Sequence, residues 1–179
     1  MTRLRDAPPG TLLQVCHVVR DVEASAARWV RDFGAGPFFR ATFAIDGHTY
    51  RGQPHRVNVD VAVGFMGSSI VELTRPVEDA PSPFTEVLNA RGEGLHHYWL
   101  QVDDFDAALA QHAVAGHTLV TGGSLPGLGR AAMVDTSAKL GCFVELIELN
   151  DTGWRLMEQM HATHLGWDGR DPLRPYPAF

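Results

Sequence analysis

Four polar side chains carry the chemistry this sequence offers: Gln14, Glu72, His97 and Glu145. They recur at matched places in two similar stretches. Gln14 lies seven residues before Asp21, His97 lies seven before Asp104, and a helical stretch follows each aspartate. Glu72 and Glu145 sit in the Val–Glu–Leu segments IVELTRP and FVELIEL. If the two stretches share one site, an imidazole nitrogen, two carboxylates and an amide oxygen converge there. That set suits one divalent ion (Zn, Ni, Co or Mn) with a position open for water or substrate. It has no thiolate for a closed structural zinc site. It has one His where the non-haem iron triad needs two. The chemistry is Lewis-acid polarisation of a carbonyl or enediolate oxygen, with Glu145 or Glu72 moving a proton at the adjacent carbon. The outcome is isomerisation, epimerisation or elimination.

The elements that must present these groups read as a duplication. TLLQVCHVV and GLHHYWLQV are short, apolar and β-branched or aromatic, as buried strands are. Asp21, and Asp103 or Asp104, can cap the helices that follow. In the first helix Val22, Ala26, Trp29, Val30 and Phe33 form one apolar face, and Gly34 suits its C-terminal cap. In the second, Phe105, Ala108, Leu109 and His112 mark the buried face. RATFAI, RVNVDVAVGF and MGSSIVELTRP complete the first unit as strands; HTLVTGG, GRAAMVD and GCFVELIEL complete the second. Each unit is therefore βαβββ. The fold class is α+β, two tandem modules curled as a mixed sheet around a cup. We divide the chain into one domain over 1–149, with modules at about 11–76 and 94–149, and a helix and extended tail over 150–179 packing on it. Residues 1–10 read as a loose arm, and 76–94 as a Pro-rich connector with a short helix.

Strand side chains alternate faces, so parity selects among the candidates. His97 shares a face with Trp99, and Gln14 with Cys16. His17 and His96 have the opposite parity and read as core histidines. His161 and His164 share a helix face but have no third ligand near in sequence. Asn58 and Asp60, on the less apolar face of their strand, are candidates for holding a polar substrate group. Trp99 and Phe39 are candidate apolar walls of a substrate site. Met157 and Met160 read as packing.

Composition narrows the partners. Formal charge is −6, acids and bases are interspersed, and no Lys or Arg run exists, which argues against nucleic acid and anionic membranes. No apolar run reaches the length of a membrane span, and MTRLRDAPPG lacks a signal-peptide core. Cys16 and Cys142 lack CxxC spacing and read as reduced, buried thiols. The expectation is a soluble cytoplasmic protein acting on a small molecule.

The βαβββ duplication, the spacing before each capping Asp and the Val–Glu–Leu strands resemble the vicinal oxygen chelate superfamily, which includes glyoxalase I, methylmalonyl-CoA epimerase, extradiol dioxygenases and bleomycin-binding proteins. The resemblance covers roughly 11–149. It implies that Gln14, Glu72, His97 and Glu145 are the metal ligands, with a Gln/Glu/His/Glu set like that of zinc-type glyoxalase I. It also implies a homodimer. Zinc-type glyoxalase I holds glutathione with an Arg four residues after the first ligand and an Asn four after the second. Here those positions are Val18 and Pro76, so glutathione does not carry over. The expected activity is that of an isomerase, epimerase or lyase acting on a largely apolar substrate. The alternatives are a metal-free ligand-sequestering protein and an Fe(II) ring-cleaving dioxygenase.

Overall fold

A computed structural model describes residues 3–178 of the chain. Its elements are β1 (Leu12–Val18), α1 (Val22–Phe33), β2 (Phe38–Tyr50), β3 (Gln53–Met66), β4 (Ser69–Pro76), α2 (Pro83–Arg91), β5 (Gly94–Leu100), α3 (Phe105–Val114), β6 (Leu119–Leu125), β7 (Gly129–Val134), α4 (Ser137–Leu140), β8 (Phe143–Leu149), α5 (Asp151–Leu165) and β9 (Leu173–Pro175). The described strands form one mixed sheet in the order β3-β4-β1-β5-β8-β7-β6-β2-β9, and β2 also pairs with β3. Strands β1 to β8 thereby close into a ring around a cup. Closure removes the open sheet edges that would otherwise offer unpaired backbone to another chain.

The registers show the duplication at residue level. In the first module β1 and β4 run parallel with Cys16 opposite Glu72; in the second β5 and β8 run parallel with Trp99 opposite Glu145. Each glutamate thus faces the residue two beyond its module's first polar side chain. The modules meet where β1 pairs antiparallel with β5, with Gln14 opposite Trp99 and Cys16 opposite His97. That pairing sets the two modules' donors side by side.

The helices begin as their sequences demand. Asp21 accepts from the Ala24 N–H and Asp104 from the Ala107 N–H, both at 2.9 Å. These bonds satisfy donors that the first helical turn leaves free. Asp104 is the second cap, leaving Asp103 without that role. Gly34 closes α1 with a left-handed φ of 66°, which a side chain would disfavour. Helix α1 packs Val22 and Ala26 against Phe38, Ala62, Val71 and Leu73 on the outside of the ring. Phe33 departs from the expected apolar face: it is 60% exposed and only leans on Trp29.

Both ends of the described chain are more structured than expected. In the N-terminal arm, Leu4–Asp6 forms a 3₁₀ turn, Leu4 is buried in the main core, and Arg5 pairs with Asp151 at the start of α5. Helix α5 buries Trp154, Leu156, Met157 and Met160. The C-terminal tail includes β9, which pairs parallel with β2, setting Leu173 opposite Phe38 and Pro175 opposite Arg40. The short helix α4 was not legible in the sequence.

Candidate functional site

At the floor of the cup, Gln14, Glu72, His97 and Glu145 come together. Gln14 Nε2 donates to Glu72 Oε2 at 2.9 Å and lies 3.3 Å from His97 Nε2. His97 Nε2 lies 3.2 Å from Glu145 Oε2. Gln14 and His97 are almost wholly buried at 4% and 2% exposure, while the Glu145 side chain is 17% exposed toward the cavity. Around Glu72, Thr74 Oγ1 donates to Oε1 at 2.5 Å and the Cys16 thiol donates to the same oxygen at 3.5 Å. Thr74 was not singled out by sequence. It lies two residues beyond Glu72 on the same strand face, which is the signal that could have found it.

The donor chemistry fits a divalent cation. Contacts of 2.9–3.3 Å link Glu72 to the Gln14 amide, that amide to His97 Nε2, and His97 Nε2 to Glu145, with the Gln14 amide and the protonated His97 ring as the donors. Turned over about its last torsion, that amide presents Oε1 instead, and the set becomes four acceptors. Such a cluster of lone pairs is costly in a buried site unless a positive charge neutralises it. Protonation of His97 meets part of that need. Burial opposes the charged ring, but the Glu145 carboxylate and then Glu72 overcome it and raise the His97 pKa.

A second cluster lies behind the first. Cys16 Sγ and ring nitrogens of His96 and His97 fall within 4.8 Å of one another, and all three residues are buried. This cluster is a hydrogen-bonded layer, and its atoms are already engaged. His96 Nε2 meets the Pro83 carbonyl at 3.0 Å, and His96 Nδ1 meets His97 Nδ1 at 2.8 Å. Burial pushes the Cys16 thiol well above its ordinary pKa, so it stays protonated and is a poor metal ligand.

Above the floor opens a cavity of about 430 Å³. Val59, Val61 and Val63 of β3, Phe43, Trp99 and Leu149 give it apolar walls, and among the described residues no Lys or Arg lines it. Trp99 lines the cavity, with its indole against Trp154. Phe39 does not line it; it shares the inward face of β2 with Phe43 but sits deeper, in the main core. Asn58 and Asp60 require a correction. The valines of β3 face the cup, so Asn58 and Asp60 face outward with Ala62 and Gly64, and Gly64 lies against the Phe38 ring under α1. Asn58 bonds Glu78, and Asp60 accepts two bonds at 2.8 Å from the Arg40 guanidinium and two longer ones, at 3.4 and 3.2 Å, from Arg75. Both are structural groups on the outward face of β3, Asp60 buried beneath its arginines.

Two cavity residues escaped sequence reasoning. Tyr176 arrives from the C-terminal tail. Its N–H donates to the Arg40 carbonyl at 2.9 Å and its ring packs edge-on against Phe43. Burial, and then Glu72, raise its phenol pKa. His48 closes the opposite side, bonding the Ser124 carbonyl at 2.8 Å. A Cβ on Gly123 would meet its ring at 2.4 Å, so the glycine makes room for it. Three histidines that the sequence reading set aside, His17 by parity and His161 and His164 for want of a third ligand, do not line the cavity. His17 packs edge-on against Trp29, while His161 and His164 tie α5 to the carbonyls of Gly67 and Gly36.

A ring of two βαβββ modules, with matched strands feeding polar groups into one cup, is the vicinal oxygen chelate fold. The chain belongs to the glyoxalase/bleomycin resistance protein/dioxygenase superfamily, whose sequence model matches residues 13–133. Among solved structures it is similar to methylmalonyl-CoA epimerase from Mycobacterium tuberculosis, at a TM-score of 0.58 and 17% identity over 85% of this chain and 93% of that one. It is also similar to a hypothetical protein from Bacillus halodurans, at 0.56 and 17% over 79% and 95%. A variant of the Streptomyces coelicolor epimerase in complex with 2-nitronate-propionyl-CoA matches at 0.53 and 18% over 78% and 97%. At these identities the likeness is one of fold. No curated protein matches the sequence.

Proposed function

We propose that the protein is a metal-dependent isomerase, epimerase or lyase that moves a proton beside the carbonyl of a small, uncharged, largely apolar substrate. Gln14, Glu72, His97 and Glu145 would hold the divalent ion. When bound, the ion supplies Lewis-acid polarisation of the substrate oxygen, lowering the cost of charge developing there. The single observation that carries the reading is a pair of carboxylates set on either side of one imidazole–amide centre, at the floor of an apolar cavity. Glu145, partly open to the cavity, is placed to take the proton from carbon. Glu72 is held by Gln14, Thr74 and Cys16 and is the more fixed of the two. The mostly apolar walls lower the local dielectric, which strengthens charge interactions at the centre.

The substrate class follows from the lining. With no Arg or Lys on the walls, a carboxylate or phosphate lying away from the floor would be buried without a counter-charge. All four polar groups come from one chain. We take the protein to be cytoplasmic, and a homodimer by family resemblance. The test is metal content by mass spectrometry after chelator-free purification, followed by deuterium uptake beside the carbonyl of neutral apolar ketones and thioesters. Stoichiometric divalent metal and exchange that His97→Ala or Glu145→Ala abolishes are expected. A metal-free wild type whose ligand affinities ignore both substitutions defeats the reading in favour of a sequestering protein. Fe(II)-dependent oxygen uptake defeats it in favour of a dioxygenase.

A further inference from the structure

His96 faces away from the cup, is wholly buried, and has no part in the chemistry above. Its ring is clamped, stacked on Phe84 at 4.8 Å and met edge-on by Phe143 at 5.4 Å. Both its nitrogens are engaged, and their partners fix where each proton lies. Nε2 lies 3.0 Å from the Pro83 carbonyl at the start of α2. A carbonyl only accepts, so Nε2 carries the hydrogen. His96 is wholly buried between Phe84 and Phe143, and its hydrogen-bond contacts are a carbonyl and a neighbouring imidazole rather than a carboxylate, so nothing there balances a second proton. Nδ1 is then a bare lone pair. It lies 2.8 Å from His97 Nδ1, so the hydrogen in that contact belongs to His97.

From these bonds we infer that His96 is a positioning residue that locks His97 in its Nδ1–H tautomer and aims the His97 Nε2 lone pair at the centre formed with Gln14, Glu72 and Glu145. The relay runs from the Pro83 carbonyl through His96 to His97. A ligating histidine needs its second nitrogen held by an acceptor to fix ring angle and tautomer, commonly a carboxylate or carbonyl. Here a neutral imidazole takes that part. It adds no negative charge to a floor that already has two carboxylates. The turn of α2 at Pro83 is thereby coupled to the site, and the inference explains why adjacent histidines on opposite strand faces serve one centre. Its value for metal binding rests on the proposed function; the tautomer itself does not.

The test is nitrogen-detected NMR of the histidine rings in ¹⁵N-labelled, metal-free protein, at alkaline pH where His97 is neutral. Wild type is expected to show His97 as Nδ1–H and His96 as Nε2–H. His96→Phe keeps the ring between Phe84 and Phe143 but removes the acceptor, and should release His97 into the Nε2–H form. Zinc affinity by calorimetry should fall about tenfold or more with it. His96→Asn, whose Oδ1 can accept in place of Nδ1, should restore most of both. A wild-type His97 found as Nε2–H overturns the inference without any variant. So does a His96→Phe protein that keeps the Nδ1–H form. A wild type that binds no zinc would sink the metal reading, while the NMR result still decides the role of His96.

Discussion

Cys16 and Trp99 occupy equivalent positions in the two modules, each directly across a parallel strand pair from a site glutamate: Cys16 from Glu72, Trp99 from Glu145. The backbone symmetry is close, and the side chains break it. On one side a small thiol bonds the carboxylate from below. On the other a large indole walls the cavity and holds β5 against Trp154 of α5. The cup is therefore polar and tight beside Glu72, and open and apolar beside Glu145. This asymmetry supports the proposal that Glu145 is the group that meets substrate.

Trp99→Ala removes a buried wall that α5 packs on. A loss of about 3–5 kcal/mol in unfolding free energy is expected, with Trp99→Phe losing less. Urea unfolding monitored by circular dichroism measures both. An alanine variant as stable as wild type would mean that the indole is not part of the packed wall.

The His97–Glu145 pair sets a pH dependence. The carboxylates raise the His97 pKa against the opposing effect of burial. With the folded pKa above the unfolded one, the pair's contribution to stability is full below the unfolded pKa. It fades as pH rises through the folded pKa. Glu145→Gln should lower the His97 pKa in metal-free protein, seen in the titration of its ring proton resonances, and should flatten this part of the stability–pH curve. An unchanged titration would show that the two groups do not interact.

Much of this arrangement was legible because the sequence repeats. The matched Asp caps and Val–Glu–Leu strands locate both modules, and parity separates His97 from His96 and Gln14 from His17. The alternation in β3 shows two faces but not which one meets the cup. Small residues settle it: Ala62 and Gly64 leave room for α1 and Phe38, so that face turns outward and takes Asn58 and Asp60 with it. Asp60 tolerates its 2% exposure because Arg40 and Arg75, from the flanking strands, neutralise it. Parity also could not show what His96 bonds, since Pro83 lies in another element. The tail reads as extended, but its docking on β2 depends on tertiary pairing that no local pattern announces.

The Asp60 network gives a separate test. Arg40, and then Arg75, hold the Asp60 pKa below the ordinary carboxylate value despite burial. Because the folded pKa is depressed, its stabilisation is present above the unfolded pKa and is lost as pH falls through the folded pKa. Asp60→Asn should cost about 1–2 kcal/mol near neutral pH, discounted because the guanidiniums are partly exposed. The difference from wild type should close in acid. Unfolding curves at several pH values check this. Because Asp60 faces outward, metal content should not change.

Tyr176 is the tail's contribution to the cavity. Its ring packs on Phe43 and lines the same space as Glu72, while its backbone and β9 are tied to β2. These two roles can be separated. Tyr176→Ala keeps the β9 pairing, so the protein should lose only about 1–2 kcal/mol of stability. The cavity wall is nonetheless removed, and bulkier apolar ligands should bind more tightly relative to small ones. A chain ended after Asp171 loses both the wall and the β9 pairing, and should unfold more readily than Tyr176→Ala. Binding of a graded series of apolar ketones, measured by quenching of tryptophan fluorescence, reads the first effect; thermal unfolding reads the second. If Tyr176→Ala leaves the size preference unchanged, the ring does not bound the substrate space. The tail would then act only as a brace along β2.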